Sequence, residues 1–269
     1  MTMTDDIILQ HFQSDGYAIV RQLATPSEVD GIREAFMSAA ANGPVAGLSD
    51  GHFADVPPGD PLAFYPRMMH PHLHPELPIG PLAMGIMLDS RIHNYLRAFM
   101  GEEPLAAQSM FYFKPPGARG QELHQDNFYL RVKPGTCVAA WMAIDDADEE
   151  NGTLMVVPQT ANAEIACPET ADAARSFTTD YVRPPAGVEP VALRLSAGDV
   201  LFFNGSVIHG SYPNASKERF RRAFICHYVP ASSTEVSAFY RLFDFSGNPV
   251  AMAEAQGGGP CGTAAAGPH

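Results

Sequence analysis

The first hundred residues place apolar side chains at the three- and four-residue spacing of amphipathic helices. Residues 5–16 are predicted to form a first helix, and residues 17–20 a short strand. Residues 25–28 (Thr-Pro-Ser-Glu) have the order of a helix cap, with Pro and Glu at the first and third helical positions. They predict a helix to about residue 42. Residues 81–100 keep the helical spacing without a break and predict one long helix.

After residue 105 the pattern changes to short runs rich in β-branched and aromatic residues, separated by Gly, Pro and acidic turns. Many short strands with tight turns are typical of a sandwich or barrel. We therefore expect a mainly β (α+β) fold in one domain, residues 1–255, with a helical layer over 1–104, a barrel over 105–245 and a flexible tail over 256–269. The predicted strands are 109–113, 124–132, 137–144, 154–157, 191–195, 200–203 and 222–229.

Charge and composition narrow the function classes. The chain has 17 Lys and Arg against 30 Asp and Glu, a formal net charge of −13, which repels phosphate backbones and argues against nucleic-acid binding. No run approaches the ~18 apolar residues of a membrane span, and the first residues are acidic where a signal peptide is basic. A cytoplasmic protein with no membrane partner is expected. The four cysteines have no metal-site spacing, so small buried or incidental residues are expected.

Two short segments carry candidate metal ligands. His124 and Asp126 lie two apart in a predicted strand and would project from one side of it. His209 is followed by Gly210 and Ser211, small residues that leave room beside the imidazole. Two histidines and one carboxylate form the facial triad of Fe(II) oxygenases, which leaves positions on the metal open for a cosubstrate and O2. Each segment alone is weak, but their joint order indicates an iron site.

A pair of arginines opens the apolar strand that follows. One of them should point into the barrel, where a buried guanidinium needs an anionic partner such as a carboxylate. Arg221 shares a face with Ala223 and Ile225, so we expect it to hold the far carboxylate of a dicarboxylate bound to the metal. Arg219 and Arg222 stay open as alternatives.

These residues resemble the phytanoyl-CoA dioxygenase-like branch of the Fe(II)- and 2-oxoglutarate-dependent dioxygenases. The resemblance implies a double-stranded β-helix, a jelly-roll or cupin-like barrel flanked by N-terminal helices. One departure is an extra residue between the second histidine and the arginine. The matching segments cover about half of the chain: residues 108–117, 124–126, 139–143, 150–154, 197–200, 209–211 and 221–223.

The resemblance also implies roles by position. His124, Asp126 and His209 would bind Fe(II), and Arg221 and Ser211 would hold the distal carboxylate of 2-oxoglutarate. The walls around that cosubstrate would be Met110 and Trp141, with Gln108 in contact with it. Because the ligand position keeps Asp126, where related halogenases have a small residue, the implied reaction is hydroxylation, with succinate and CO2 as co-products.

The substrate is less determined. Few lysines and an acidic chain argue mildly against an acyl-CoA and favour a neutral or cationic small molecule, such as an amine-bearing or natural-product intermediate. A local basic patch at Arg67, Arg119 and Arg131 would reverse that inference. Three alternatives stay open: an acyl-CoA hydroxylase, a non-catalytic binding module, and a cupin that uses another metal such as zinc or manganese. The predicted substrate pocket comprises Arg67, His70, Phe111, Phe113 and Phe128.

Overall fold

The computed structural model describes residues 3–49, 56–57, 59–256 and 261–262. Within them the helices are α1 (Met3–Asp15), α2 (Pro26–Ala39), α3 (Ile79–Met87), α4 (Ser90–Met100) and α5 (Asp126–Leu130). The strands are β1 (Tyr17–Val20), β2 (Met68–Met69), β3 (Pro104–Tyr112), β4 (Gln121–His124), β5 (Val138–Ala143), β6 (Leu154–Val156), β7 (Glu169–Thr170), β8 (Asp180–Tyr181), β9 (Val191–Ala192), β10 (Val200–Asn204), β11 (His209–Ser211), β12 (Ala223–Pro230), β13 (Glu235–Val236), β14 (Leu242–Phe243), β15 (Pro249–Val250) and β16 (Ala253–Glu254).

Two facing sheets form the barrel. The larger has the order β1-β10-β5-β12-β3-β14-β15, with β2 on β3, and the smaller has the order β4-β11-β6-β9. All pairings within these two sheets are antiparallel. The predicted jelly-roll fold is therefore confirmed.

Helices α1 to α4 cover one face of the larger sheet. Phe36 of α2 is fully buried and stacks on Phe111 of β3, with ring centroids 4.1 Å apart. The opposite face carries Met110, Trp141 and Ile225, which pack in a separate apolar cluster between the two sheets. Alternate residues of β3 thus serve the helical layer and the barrel interior in turn.

The predicted cap of α2 is present, but the predicted long helix over 81–100 is wrong. The backbone N–H of Glu28 donates to Thr25 Oγ1 at 3.3 Å, and Thr25 N–H donates to Glu28 Oε2 at 2.7 Å. Between α3 and α4, Asp89 is extended, and its carboxylate accepts from the backbone N–H of Arg91 at 2.7 Å. An aspartate that caps a new helix start interrupts the old one. No helix of the described residues is long and apolar enough to span a membrane.

The predicted strand over 124–132 is also wrong. Strand β4 ends at His124, Gln125 is extended, and Asp126 begins the five-residue helix α5, whose residues are all buried. A short buried apolar run has no periodicity that separates a strand from a helix. The chain thus turns from strand to helix between His124 and Asp126. This turn matters for function because it decides where the Asp126 carboxylate lies relative to the His124 imidazole.

The cysteine prediction fails for one pair. Cys167 and Cys261, 94 residues apart, form a disulfide, whereas Cys137 and Cys226 are free and buried as expected. Sequence spacing does not show which distant loops pack together. Most of the predicted tail over 256–269 lies outside the described residues, but Cys261 within it is tied to the loop at residue 167.

Candidate active site

Three buried ligand-type side chains meet between the sheets. His124 ends β4, and Asp126 begins α5. His209 begins the neighbouring strand β11, where it is paired with His124. The Nε2 atoms of His124 and His209 lie 3.6 and 3.5 Å from Asp126 Oδ1. One atom from each residue lies within 4.8 Å of the other two, so this set could hold a metal ion.

The backbone fixes how the imidazoles face the site. Nδ1 lies 2.9 Å from the Glu122 carbonyl in His124 and 3.0 Å from the Val207 carbonyl in His209. A carbonyl only accepts, so each Nδ1 carries the proton and each Nε2 presents its lone pair to the centre. The side-chain nitrogen of Gln121 lies 3.2 Å from His124 Nε2, in the place that a metal on this atom would take. Two imidazoles and a carboxylate fit a divalent metal with open positions.

His227 holds the carboxylate from behind. This histidine is 1% exposed, and its Nε2 lies 3.0 Å from Asp126 Oδ2. The contact orients Asp126 so that Oδ1 faces the two imidazoles.

Of the three candidate arginines, only Arg221 faces the pocket. It is 2% exposed, its Nε donates to the Gly152 carbonyl at 2.9 Å, and its guanidinium carbon lies 5.3 Å from the centre of the Trp141 ring. Arg222 pairs with Asp145 at 2.7 Å, and Arg219 pairs with Asp148 at 2.9 Å. Burial lowers the pKa of Arg221 to about 10. No carboxylate of the described residues bonds its guanidinium.

A buried lysine beside Arg221 was not predicted. Lys114 is 3% exposed, and its Nζ donates to Ser211 Oγ at 2.8 Å and to the carbonyls of Gly152 and Tyr212. Burial, with a further effect from the charge of Arg221, lowers the pKa of Lys114 well below its usual value. The available signal was its place two residues after the inward-facing Tyr112. Two buried basic groups that bond no carboxylate of the described residues make this end of the pocket suited to an anionic ligand.

The structure gathers most of the predicted site residues around one cavity of about 30 Å³. It is lined by the metal trio and by Arg221, Ser211, Met110 and Trp141, together with Tyr112 and the unpredicted Gln121. An adjoining cavity of about 60 Å³ shares Tyr112 and is lined by Arg67, Phe113, Lys114 and Phe177 among others.

The remaining predicted residues lie elsewhere. Gln108 is fully buried but does not line the metal cavity. Phe111 points to the helical layer, where it stacks on Phe36, so it does not reach the pocket. Phe128 packs beside Tyr129 with ring centroids 5.2 Å apart, and His70 lies near Tyr240 at 6.1 Å.

A family model described as phytanoyl-CoA dioxygenase (PhyH) matches residues 12–223, well over half of the chain. The chain belongs to this family. Phytanoyl-CoA dioxygenase 1 of Oryza sativa subsp. japonica is 27% identical over 161 residues, which are 59% of this chain and 57% of that protein. The peroxisomal phytanoyl-CoA dioxygenase of Bos taurus is 32% identical over 152 residues, 52% of this chain and 44% of that protein. The matches thus span about half the length of these relatives.

Solved structures of PhyH-like fold extend over more of the chain. The epimerase SnoN from nogalamycin biosynthesis, in complex with Fe3+, alpha ketoglutarate and nogalamycin RO, has a TM-score of 0.66 at 17% identity over 95% of this chain and 96% of its own. EvdO2 from Micromonospora carbonacea var. aurantiaca has a TM-score of 0.65 at 23% identity over 86% and 91%. At these identities the likeness is one of fold.

Proposed function

We propose that the protein is a 2-oxoglutarate-dependent non-haem iron dioxygenase that hydroxylates an unactivated C–H bond of a small molecule. One observation carries the proposal: Arg221, buried and without an acid, shares a cavity of about 30 Å³ with the His124, Asp126 and His209 trio. A metal hydrolase has no need for a buried arginine beside its metal, whereas a dicarboxylate that bridges metal and arginine uses both.

The roles follow from the geometry. His124, Asp126 and His209 would hold Fe(II), and Arg221 with Ser211 would hold the distal carboxylate of 2-oxoglutarate. When bound, these cofactors together with O2 supply the oxidising power, with succinate and CO2 as co-products. Met110 and Trp141 line the cavity and would shield a bound cosubstrate from water, which would strengthen the interaction between Arg221 and a carboxylate. His227 keeps Asp126 turned toward the centre.

A natural-product intermediate is the substrate class we favour. The solved structures of similar fold include an epimerase and a carbocyclase from nogalamycin biosynthesis. Arg119, one of the three arginines considered as a basic patch for coenzyme A, is already bonded to Asp60 at 2.7 Å and to two backbone carbonyls. An acyl-CoA substrate stays the second candidate because the curated relatives are named phytanoyl-CoA dioxygenases.

We assign the activity to residues 1–255 as a single domain. A cytoplasmic location stays a prediction, and the Cys167–Cys261 bond is one observation against it because disulfides are rare in that compartment.

An anaerobic titration tests the proposal. Protein loaded with Fe(II) should develop the weak visible charge-transfer band of a chelated 2-oxo acid when 2-oxoglutarate is added. Arg221→Ala should lose the band, whereas Arg222→Ala is the matched control and should keep it, because Arg222 pairs with Asp145 away from the cavity. Iron binding without a band would favour another metal chemistry, and no metal binding would favour a binding module.

A further inference from the structure

Gln108 has a buried amide with no hydrogen-bond partner. Gln108 is 0% exposed, and neither its Oε1 nor its Nε2 forms a hydrogen bond with any described residue. Gln125 is equally buried, yet its amide accepts from Ala166 N–H and donates to the carbonyls of Glu164 and Ser206. Because an unpaired buried amide is costly and such groups are few in native proteins, Gln108 needs an explanation that Gln125 does not.

The position of Gln108 separates it from the cosubstrate. Strands β3 and β12 pair Tyr112 with Ala223, Met110 with Ile225, and Gln108 with His227. Because alternate residues share a face, Gln108 lies on the interior face with Met110 and Tyr112. Arg221 bonds the backbone of Lys114, beyond the Tyr112 end of this ladder.

The Gln108 end of the paired strands β3 and β12 is level with the metal ligands. His227, the partner of Gln108, contacts Asp126, about 13 Å along the strand from Ala223. A cosubstrate that extends from the metal to Arg221 therefore runs away from Gln108. A ligand that reaches this amide would lie on the side of the metal away from Arg221, which such a cosubstrate leaves free for a substrate.

His70 supplies a second buried polar atom near the same end. Its backbone N–H donates to the carbonyl of Ser109, the residue next to Gln108, and its Nδ1 has no hydrogen-bond partner among the described residues. Burial first, and then the charge of His227, lowers the pKa of His70 to about 4. At neutral pH the imidazole is uncharged, so it has one donor and one acceptor, and the carboxamide of Gln108 likewise has both kinds of group.

We propose that Gln108 and His70 form a subsite that hydrogen-bonds a neutral hydroxyl or amide group of the substrate. This inference rests on the proposed function, and it moves Gln108 from the cosubstrate to the substrate. A cationic group is disfavoured because the neighbouring His74, Arg241 and Arg67 are themselves basic. Neither Gln108 nor His70 offers a fixed charge to an anion.

The first test needs no substrate. Gln108→Met keeps the length of the side chain and removes the unpaired polar atoms, so the melting temperature should rise by at least about 2 °C. Gln125→Met is the matched control: it removes three hydrogen bonds and should lower the melting temperature. A fall in Gln108→Met like that in the control would overturn the inference, because Gln108 would then have a structural partner.

The second test separates this inference from the proposed function. The affinity for 2-oxoglutarate, read from the charge-transfer band, should stay within about twofold in Gln108→Met and be lost in Arg221→Ala. A tenfold loss in Gln108→Met would make Gln108 a cosubstrate contact and refute the subsite while the dioxygenase proposal stands. A wild type without any band would refute the dioxygenase proposal, and the melting temperatures would still report on Gln108.

Acetamide serves as a probe for the chemistry of the subsite. In protein loaded anaerobically with Fe(II) and 2-oxoglutarate, acetamide should raise the melting temperature of the wild type and leave Gln108→Met unchanged. Acetate, its charged counterpart of similar size, should have no such effect. Equal shifts in both proteins, a larger shift with acetate, or no shift of the wild type with acetamide would each contradict a subsite for neutral groups.

Discussion

Lys114 Nζ donates to Ser211 Oγ at 2.8 Å. Ser211 lies two residues after the candidate metal ligand His209. The backbone N–H of Gln121 donates to the same oxygen at 3.2 Å. The hydroxyl that the family resemblance assigns to the distal carboxylate is thus fixed by two donors, and its own proton is left to point toward that carboxylate. Lys114 thereby fixes the position of Ser211 at the Arg221 end of the cavity.

Replacement of Lys114 should weaken the binding of the cosubstrate 2-oxoglutarate. We expect Lys114→Met to raise the dissociation constant of 2-oxoglutarate about tenfold, because the donor that orients Ser211 is lost. Anaerobic titration of the charge-transfer band measures this. The exposed Lys133, changed to Met, is the control and should bind as the wild type does. Equal affinities in all three proteins would mean that Lys114 only supports the fold.

Replacement of His227 should weaken metal binding and leave the binding of the cosubstrate carboxylate at Arg221 unchanged. His227→Leu removes the donor 3.0 Å from Asp126 Oδ2, and loss of a group that orients a metal ligand typically costs about 10–100-fold in metal affinity. Competition with a fluorescent chelator for Fe(II) or Co(II) gives the constant. His11→Leu, at an exposed position, serves as the control. An unchanged constant would show that Asp126 is held by other contacts.

The disulfide should stabilise the folded protein. Cys167→Ser and Cys261→Ser should each lower the free energy of unfolding by about 2–4 kcal/mol, because the bond closes a long loop of the unfolded chain. The double variant should lose no more than either single variant, since one bond is removed in all three. Urea unfolding measures the losses. Losses that add, or a wild type unaffected by a reductant, would argue against the bond.

Acid should selectively remove the contribution of the α2 cap. The hydrogen bond from Arg91, followed by that from the Thr25 backbone, lowers the pKa of Glu28 from 4.5 to about 2. The unfolded chain therefore takes up this proton first, so the stabilisation is present above pH 4.5 and is lost as the pH falls toward 2. Glu28→Gln should be less stable than the wild type at pH 7.

The size of that difference should shrink as the pH is lowered through the same window. Urea unfolding at a series of pH values measures it. The exposed Glu189, changed to Gln, should show no such pH-dependent difference from the wild type. A difference for Glu28→Gln that stays constant down to pH 2 would mean that the charge of Glu28 does not contribute.

The sequence predicts an element correctly where the residues that form its signal are close together along the chain. The cap at Thr25 and Glu28 was readable because its groups lie within one turn. The break at Asp89 was overlooked although Asp is a preferred cap, because the apolar spacing runs through it. Helix α5 was read as a strand since a short buried run has no distinguishing period.

The sequence by itself determined the jelly roll, the family and the candidate trio, because strand patterns and the order His124, Asp126, His209 are properties of the chain. Alternation along one strand was enough to favour Arg221 over Arg222. Tertiary structure alone decided the contacts of Lys114 with Ser211, His227 with Asp126, and Cys167 with Cys261. These partners are 94 to 101 residues apart, so only the folded arrangement of sheets and loops brings them within bonding distance.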